Sequence, residues 1–192
     1  MSTANQIIQQ SLRAHAETVT QLDSLIPDIA RLANMVQATL TQGGKILFMG
    51  NGGSAADSQH LAAELVGRFQ TERRGLAAIA LSTDTSILTS VGNDYGFECI
   101  FARQVEALCR PEDVLIGIST SGNSANVLRA IKVGKELGAR TVAFTGEAGG
   151  KLGELCDLTL AMPSKVTARV QEAHILIGHI LCELIDDANT VA

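Results

Sequence analysis

Five short apolar runs, each followed by a helical pattern, alternate along the chain from residue 45 onward: Lys45–Met49, Ala77–Leu81, Asp113–Ile118, Thr141–Phe144 and Leu158–Ala161. The helical patterns between them fall at about Ser54–Val66, Ser86–Val91 with Glu98–Leu108, Ser124–Leu137 and Gly150–Leu155. This alternation leaves few options, because neighbouring strands separated by a helix-length segment pair in parallel through crossovers rather than hairpins. The fold class it predicts is α/β. A five-stranded parallel sheet is flanked by helices in a three-layer, flavodoxin- or Rossmann-like arrangement. Ligands then bind outside the carboxyl ends of the strands, where loops meet helix N-termini.

Two helical segments precede the first strand. From about Asn5 to Gln42 the apolar positions Ile7, Ile8, Leu12, Val19 and Leu22, then Ile29, Leu32, Met35, Val36 and Leu40, keep three-to-four spacing, with an interruption expected near Pro27. Beyond Pro163 a long helix is predicted over Thr167–Ala188. Its residues Val170, Ile175, Ile177, Ile180, Leu181 and Leu184 are too widely spread for one apolar stripe, which suggests a subunit interface. No repeat, low-complexity tract or linker divides the chain. Its 192 residues, 46% hydrophobic and 18% charged, suit one domain over 1–192 with residues 1–42 as a helical pair on the core or the oligomer.

Charge and composition remove several function classes. Fifteen Lys and Arg against twenty Asp and Glu leave a net charge of −5, and like charges do not cluster. Nucleic acid and anionic membrane are therefore disfavoured partners. Aromatic residues are only 3%, without Trp and with one Tyr, so a bound sugar must be held by polar groups. No run reaches membrane-spanning length, and MSTANQIIQQ lacks the pattern of a secretory leader, so a cytoplasmic location is expected. Cys99, Cys109, Cys156 and Cys182 are irregularly spaced in apolar contexts and read as reduced fillers.

Two loops carry the chemical signal. The first strand runs into Gly50-Asn51-Gly52-Gly53-Ser54, whose glycines allow a sharp turn and let amide N–H groups approach an anion at a helix N-terminus. It also satisfies the loose dinucleotide pattern GxGxxG/A. Asp84 lies too far along to be the ribose-binding acid, and the lysine of a P-loop is missing, so no nucleotide cofactor is expected. The third strand runs into Ser119-Thr120-Ser121-Gly122-Asn123-Ser124. Four hydroxyls without a Lys or Arg suit a phosphate monoester held by neutral donors, whereas helix capping needs only one.

His60 and Glu64, four apart on the helix after the first loop, face the same way about one turn apart. They could enter one cleft or form an ordinary surface pair. Gln171 and His179 are separated by roughly 12 Å along their helix, so both side chains would have to reach toward a midpoint to meet one bound group. His174 is a rival ligand or a core residue, and His15 has no motif around it.

Together, Gly50–Ser54, Val91-Gly92-Asn93-Asp94, Gly117–Ser124 and Gln171-Glu172-x-His174 resemble the sugar isomerase (SIS) domain family and, within it, the phosphoheptose isomerases; the likeness spans nearly the whole chain. The resemblance implies isomerisation of sedoheptulose 7-phosphate to D-glycero-D-manno-heptose 7-phosphate through an enediol, for lipopolysaccharide heptose, by a homotetramer with sites at subunit interfaces. It assigns Glu64 and His179 as the acid–base pair. Asn51, Gly52 and Gly53, with Ser54 beside them, Glu64, Asn93 and Asp94 are assigned to the substrate. Ser119, Thr120, Ser121 and Ser124 form the phosphate cradle. Gln171 touches substrate and metal, and one zinc per subunit is held by His60, Glu64, Gln171 and His179. An alternative is a non-catalytic member that binds the bacterial replication initiator or senses a phosphosugar. Such relatives lose the glutamate and histidine and alter the loops, whereas Glu64, His179, Gly53 and Ser121 are present here.

Overall fold

The computed structural model describes residues 3–189; residues 1, 2 and 190–192 of the expected single domain lie outside it. Helix α1 (Ala4–Gln21) opens on a capping box, in which the Thr3 hydroxyl accepts from the Gln6 backbone N–H and the Gln6 side chain accepts from that of Thr3. A 3-10 turn over Leu22–Leu25 separates it from α2 (Ile26–Thr41). The interruption thus falls before Pro27, which sits in the first turn of α2, where its missing N–H costs no hydrogen bond.

The sheet holds β1 (Ile46–Gly50), β2 (Ala78–Ala80), β3 (Val114–Ser119), β4 (Arg140–Gly146) and β5 (Leu158–Met162), all parallel, in the order β2-β1-β3-β4-β5. The crossovers contain α3 (Gly53–Val66), α4 (Thr85–Tyr95), α5 (Ala102–Leu108), α6 (Ala125–Glu136) and α7 (Gly150–Leu155), and α8 (Thr167–Asn189) closes the chain. Both sheet faces are buried. Ile46, Phe48, Ile116 and Phe144 pack with α2, α3 and α8, while Leu47, Met49, Leu115 and Ala143 pack with α5, α6 and α7. The strand order reverses between β1 and β3, so the loops following these two strands flank the switch point where α/β sheets bind ligands.

The long last helix finds much of its cover within the chain. Val170, Ala173, Ile177, Leu181 and Ile185 are buried, and α8 packs against α1, α2 and α3. Large apolar side chains left exposed include Ile7, Ile8 and Leu12, all on α1. Leu184 of α8 is exposed as well, and Ile175, Leu176 and Ile180 are only partly buried, so α8 keeps apolar surface of its own beside that of α1. No helix among the described residues is long and apolar enough to cross a membrane. All four cysteines are free, with Cys156 half-buried and the others buried.

Candidate active site

At the switch point the two loops are tied by a reciprocal amide pair. Asn51 donates to the Asn126 side-chain oxygen at 2.9 Å, and Asn126 donates back at 2.8 Å. Asn126, in the first turn of α6, was not singled out from the sequence; its only signal there is a polar residue at the start of a helix. In the first loop Gly52 adopts φ +57°, and a Cβ on Gly53 would lie 2.5 Å from the Gln171 amide nitrogen. Glycine at 53 lets α8 lay the Gln171 side chain against the loop. Ser54, expected beside the substrate, is buried beneath it.

The second loop is self-bracing. The Ser119 hydroxyl is 2.9 Å from that of Ser124 and 3.5 Å from that of Ser121, while Asn123 donates its N–H to Ser121. Gly122 has φ +65°, and a Cβ there would strike the Gly149 carbonyl oxygen at 2.0 Å. Thr120 and Ser121 line a cleft of about 270 Å³, with Gly146, Ser164, Lys165 and Thr167 opposite. Lys165, paired with Glu147 at 3.2 Å, is a cation on this rim. It arrives from the β5–α8 connection, so no local pattern around the hydroxyl loop could announce it.

The titratable groups meet elsewhere, on the seam between α3 and α8. A Cβ on Gly178 would lie 2.5 Å from Leu61, so the two helices approach closely there. Beside that approach, His60 Nε2 lies 3.1 Å from Glu64 Oε1 and 3.1 Å from His179 Nε2, and Phe69 stacks on the His179 ring at 5.4 Å. A carboxylate only accepts. Either ring can be the donor between His60 and His179, and Glu64 lies within ion-pair distance of the same His60 nitrogen. The seam can hold a proton between a carboxylate and two imidazoles. Asp57, one turn before His60, has a buried carboxylate oxygen with no hydrogen-bond partner among the described residues. Burial pushes its carboxyl above the usual range, with His60 opposing. Its place three residues before His60 was the available signal.

Not every expected residue joins these groups. Asn93 and Asp94 stand exposed at the end of α4, bonded to each other at 2.8 Å. His174 is a core residue, not a ligand at the seam: it is fully buried, with Nε2 3.1 Å from the Thr145 carbonyl. His15 bonds Glu172 at 2.8 Å. Among the described residues, no group of three or more His, Cys, Asp and Glu forms a ready-made metal cage. The donors of His60, Glu64 and His179 have the nitrogen and oxygen chemistry that zinc accepts, so the seam's chemistry fits the ion, while Gln171 is engaged with Gly53.

The SIS domain family matches residues 10–146. A phosphoheptose isomerase of Aliarcobacter butzleri is 54% identical over 182 residues, 94% of this chain and 96% of its own, and one from Aquifex aeolicus is 60% identical over 159 residues, 83% of each. The chain belongs to the phosphoheptose isomerase family. Solved phosphoheptose isomerases share its fold: that of Neisseria gonorrhoeae superimposes with TM-score 0.92 at 44% identity, covering 96% of this chain and all of that one. The Francisella tularensis phosphoheptose isomerase gives 0.94 at 39%, covering 97% and all, respectively. Within this family framework, the five-stranded sheet carries the two loops after β1 and β3 and, on one flank, a carboxylate–imidazole seam.

Proposed function

We infer that this chain is an aldose–ketose isomerase that converts sedoheptulose 7-phosphate to D-glycero-D-manno-heptose 7-phosphate through an enediol. The observation that carries the reading is the convergence of Glu64 and His179, through His60, on two helices beside a phosphate-suited loop. Moving a carbonyl from C2 to C1 requires a proton to leave C1 and one to arrive at C2, while the C1 hydroxyl gives up its proton and the C2 oxygen gains one. Glu64 takes and returns the carbon-bound proton. His179 serves the oxygens. Ser119, Thr120, Ser121 and Ser124 hold the phosphate with neutral donors, and Asn51, Gly52 and Gly53 orient the sugar hydroxyls.

His60, Glu64 and His179 would hold zinc, with Gln171 joining by turning away from Gly53. The ion would polarise substrate oxygens when bound. A homotetramer with shared sites is supported by the exposed Ile7, Ile8 and Leu12 of α1 and by the exposed Asn93 and Asp94, which a neighbouring copy could cover. The net negative charge supports a small-molecule partner rather than nucleic acid, and the reading places the enzyme in the cytoplasm. The deciding assay is incubation with sedoheptulose 7-phosphate. Aldose product from the wild type and none from Glu64→Gln is expected; tight capture of a replication initiator without any aldose product would overturn the reading.

A further inference from the structure

Behind Glu64 and His179 lies a second polar cluster with no part in the proton transfers. Arg73 and Asp186 form an ion pair at 2.6 Å with each side chain only 3% exposed. The other Asp186 oxygen accepts from two successive backbone N–H groups, Gln70 at 2.7 Å and Thr71 at 2.8 Å. The residue before Gln70 is Phe69, whose ring stacks on His179. Arg73 meanwhile donates to the carbonyls of Glu64 and Leu65, each at 3.0 Å, and more distantly to that of Gly67. These carbonyls belong to the last turn of α3 and its cap, where a helix lacks its own donors and favours a positive charge.

Asp186 follows His179 by seven residues in α8, nearly two full turns, so both side chains leave the same face of the helix. One carboxylate thereby fixes two things: the segment that presses Phe69 on His179, and the guanidinium that grips the turn bearing Glu64. The fork geometry matters, because a lysine at 73 could not serve Asp186 and several carbonyls together.

We propose that Arg73 and Asp186 are positioning residues that hold Glu64 and His179 in working register across the α3–α8 seam, with Phe69 as the contact to His179. This rests on the reading of Glu64 and His179 as the acid–base pair. The test compares kcat and KM for sedoheptulose 7-phosphate in the wild type, Asp186→Asn, Asp186→Glu, Arg73→Lys and Phe69→Leu, together with melting temperature and the imidazole proton resonance of His179. With four histidines in the chain, that resonance is assigned by its loss in His179→Gln. Asp186→Asn and Phe69→Leu are expected to lower kcat about 10- to 100-fold with KM changed less than about threefold, since small misplacements of reacting groups carry losses of this order. The His179 resonance should move in both, and Asp186→Glu should recover most of the rate.

Wild-type kcat in folded Asp186→Asn and Arg73→Lys overturns the proposal. So does a loss of rate that only follows the unfolded fraction while the His179 resonance stays in place. Should Asp186→Asn fail to fold, the uncharged change Phe69→Leu decides alone, wild-type kcat there being fatal. An active Glu64→Gln would instead remove the acid–base reading itself, whereas an inactive Glu64→Gln beside an unperturbed Asp186→Asn removes only this proposal.

Discussion

The hydroxyl loop and the α3–α8 seam are organised over very different distances along the chain. In the loop, Ser119, Ser121, Asn123 and Ser124 bond to one another within five residues, and Gly122 donates its N–H to the Ser119 carbonyl. At the seam, His60 meets His179 across 119 residues and Gln70 meets Asp186 across 116. The loop's side-chain bracing is internal, with backbone support from Gly146 and Leu152 behind it. A seam between helices depends on every residue that sets their separation and phase. Damage to the loop should appear chiefly in substrate binding, and damage to the seam chiefly in turnover.

The largest effect expected lies at the seam. Glu64→Gln keeps the shape and removes the base, so kcat should fall about 10²- to 10⁴-fold, the usual contribution of a positioned proton-transfer group. Calorimetry with sedoheptulose 7-phosphate should show affinity kept within severalfold; weak binding with intact turnover would reverse the division between the two regions. Next comes a break in the loop. Gly122→Ala places a methyl against the Gly149 carbonyl at a backbone angle suited to glycine. An overpacked backbone contact costs about 1–3 kcal/mol, which should raise KM roughly 5- to 100-fold through displacement of the β3–α6 turn. An unchanged KM would mean that this turn does not hold the phosphate.

This contrast also explains what could be read from the sequence. The strands and most helices were legible because apolar periodicity is a local property; the predicted Gly150–Leu155 helix is the observed α7, and Leu158–Ala161 falls one residue short of β5. The loops were legible because glycine and serine next to a strand end leave few alternatives. The His60–Glu64 pair was legible as a one-turn spacing, and the structure joins them at 3.1 Å. Its partner on α8 was supplied by family resemblance, since nothing in the spacing of Gln171 and His179 says which helix they face. Arg73, Phe69, Asn126 and Lys165 escaped notice for the same reason: each acts on residues far away in the chain. How much of the interface expected on α8 is covered by another copy is not a local property either, since α1, α2 and α3 pack against this helix and bury Val170, Ile177 and Leu181 while Leu184 stays exposed.

Smaller changes should separate the regions more finely. Ser124→Ala removes one neutral hydroxyl from a braced set, and a hydrogen bond of that kind is worth about 0.5–1.5 kcal/mol. KM should rise about two- to tenfold with kcat nearly unchanged. A matched fall in kcat would show that the loop takes part in turnover, as the seam does.

The mildest difference concerns acid. The hydroxyl loop over residues 119–124 contains no titratable side chain, whereas α8 carries the buried His174 beneath the site. The Thr145 carbonyl can only accept, so His174 Nε2 donates to it and Nδ1 bears the lone pair, without a partner among the described residues. Burial pushes the His174 pKa down to about 4, against an opposing pull from the Thr145 hydrogen bond. The folded value thus lies below the ordinary 6.5, and as pH falls the unfolded chain takes up the proton first. This contribution to stability is complete above pH 6.5 and declines through the window down to about 4. Between pH 7.5 and 5.5 it should amount to about 1 kcal/mol, a few degrees in melting temperature. His174→Gln, measured at both pH values, should flatten that dependence, and hydrogen exchange at pH 5.5 should loosen α8 of the wild type more than α6. An acid dependence unchanged by His174→Gln would place the sensitivity elsewhere and leave the two regions equally indifferent to pH through this residue.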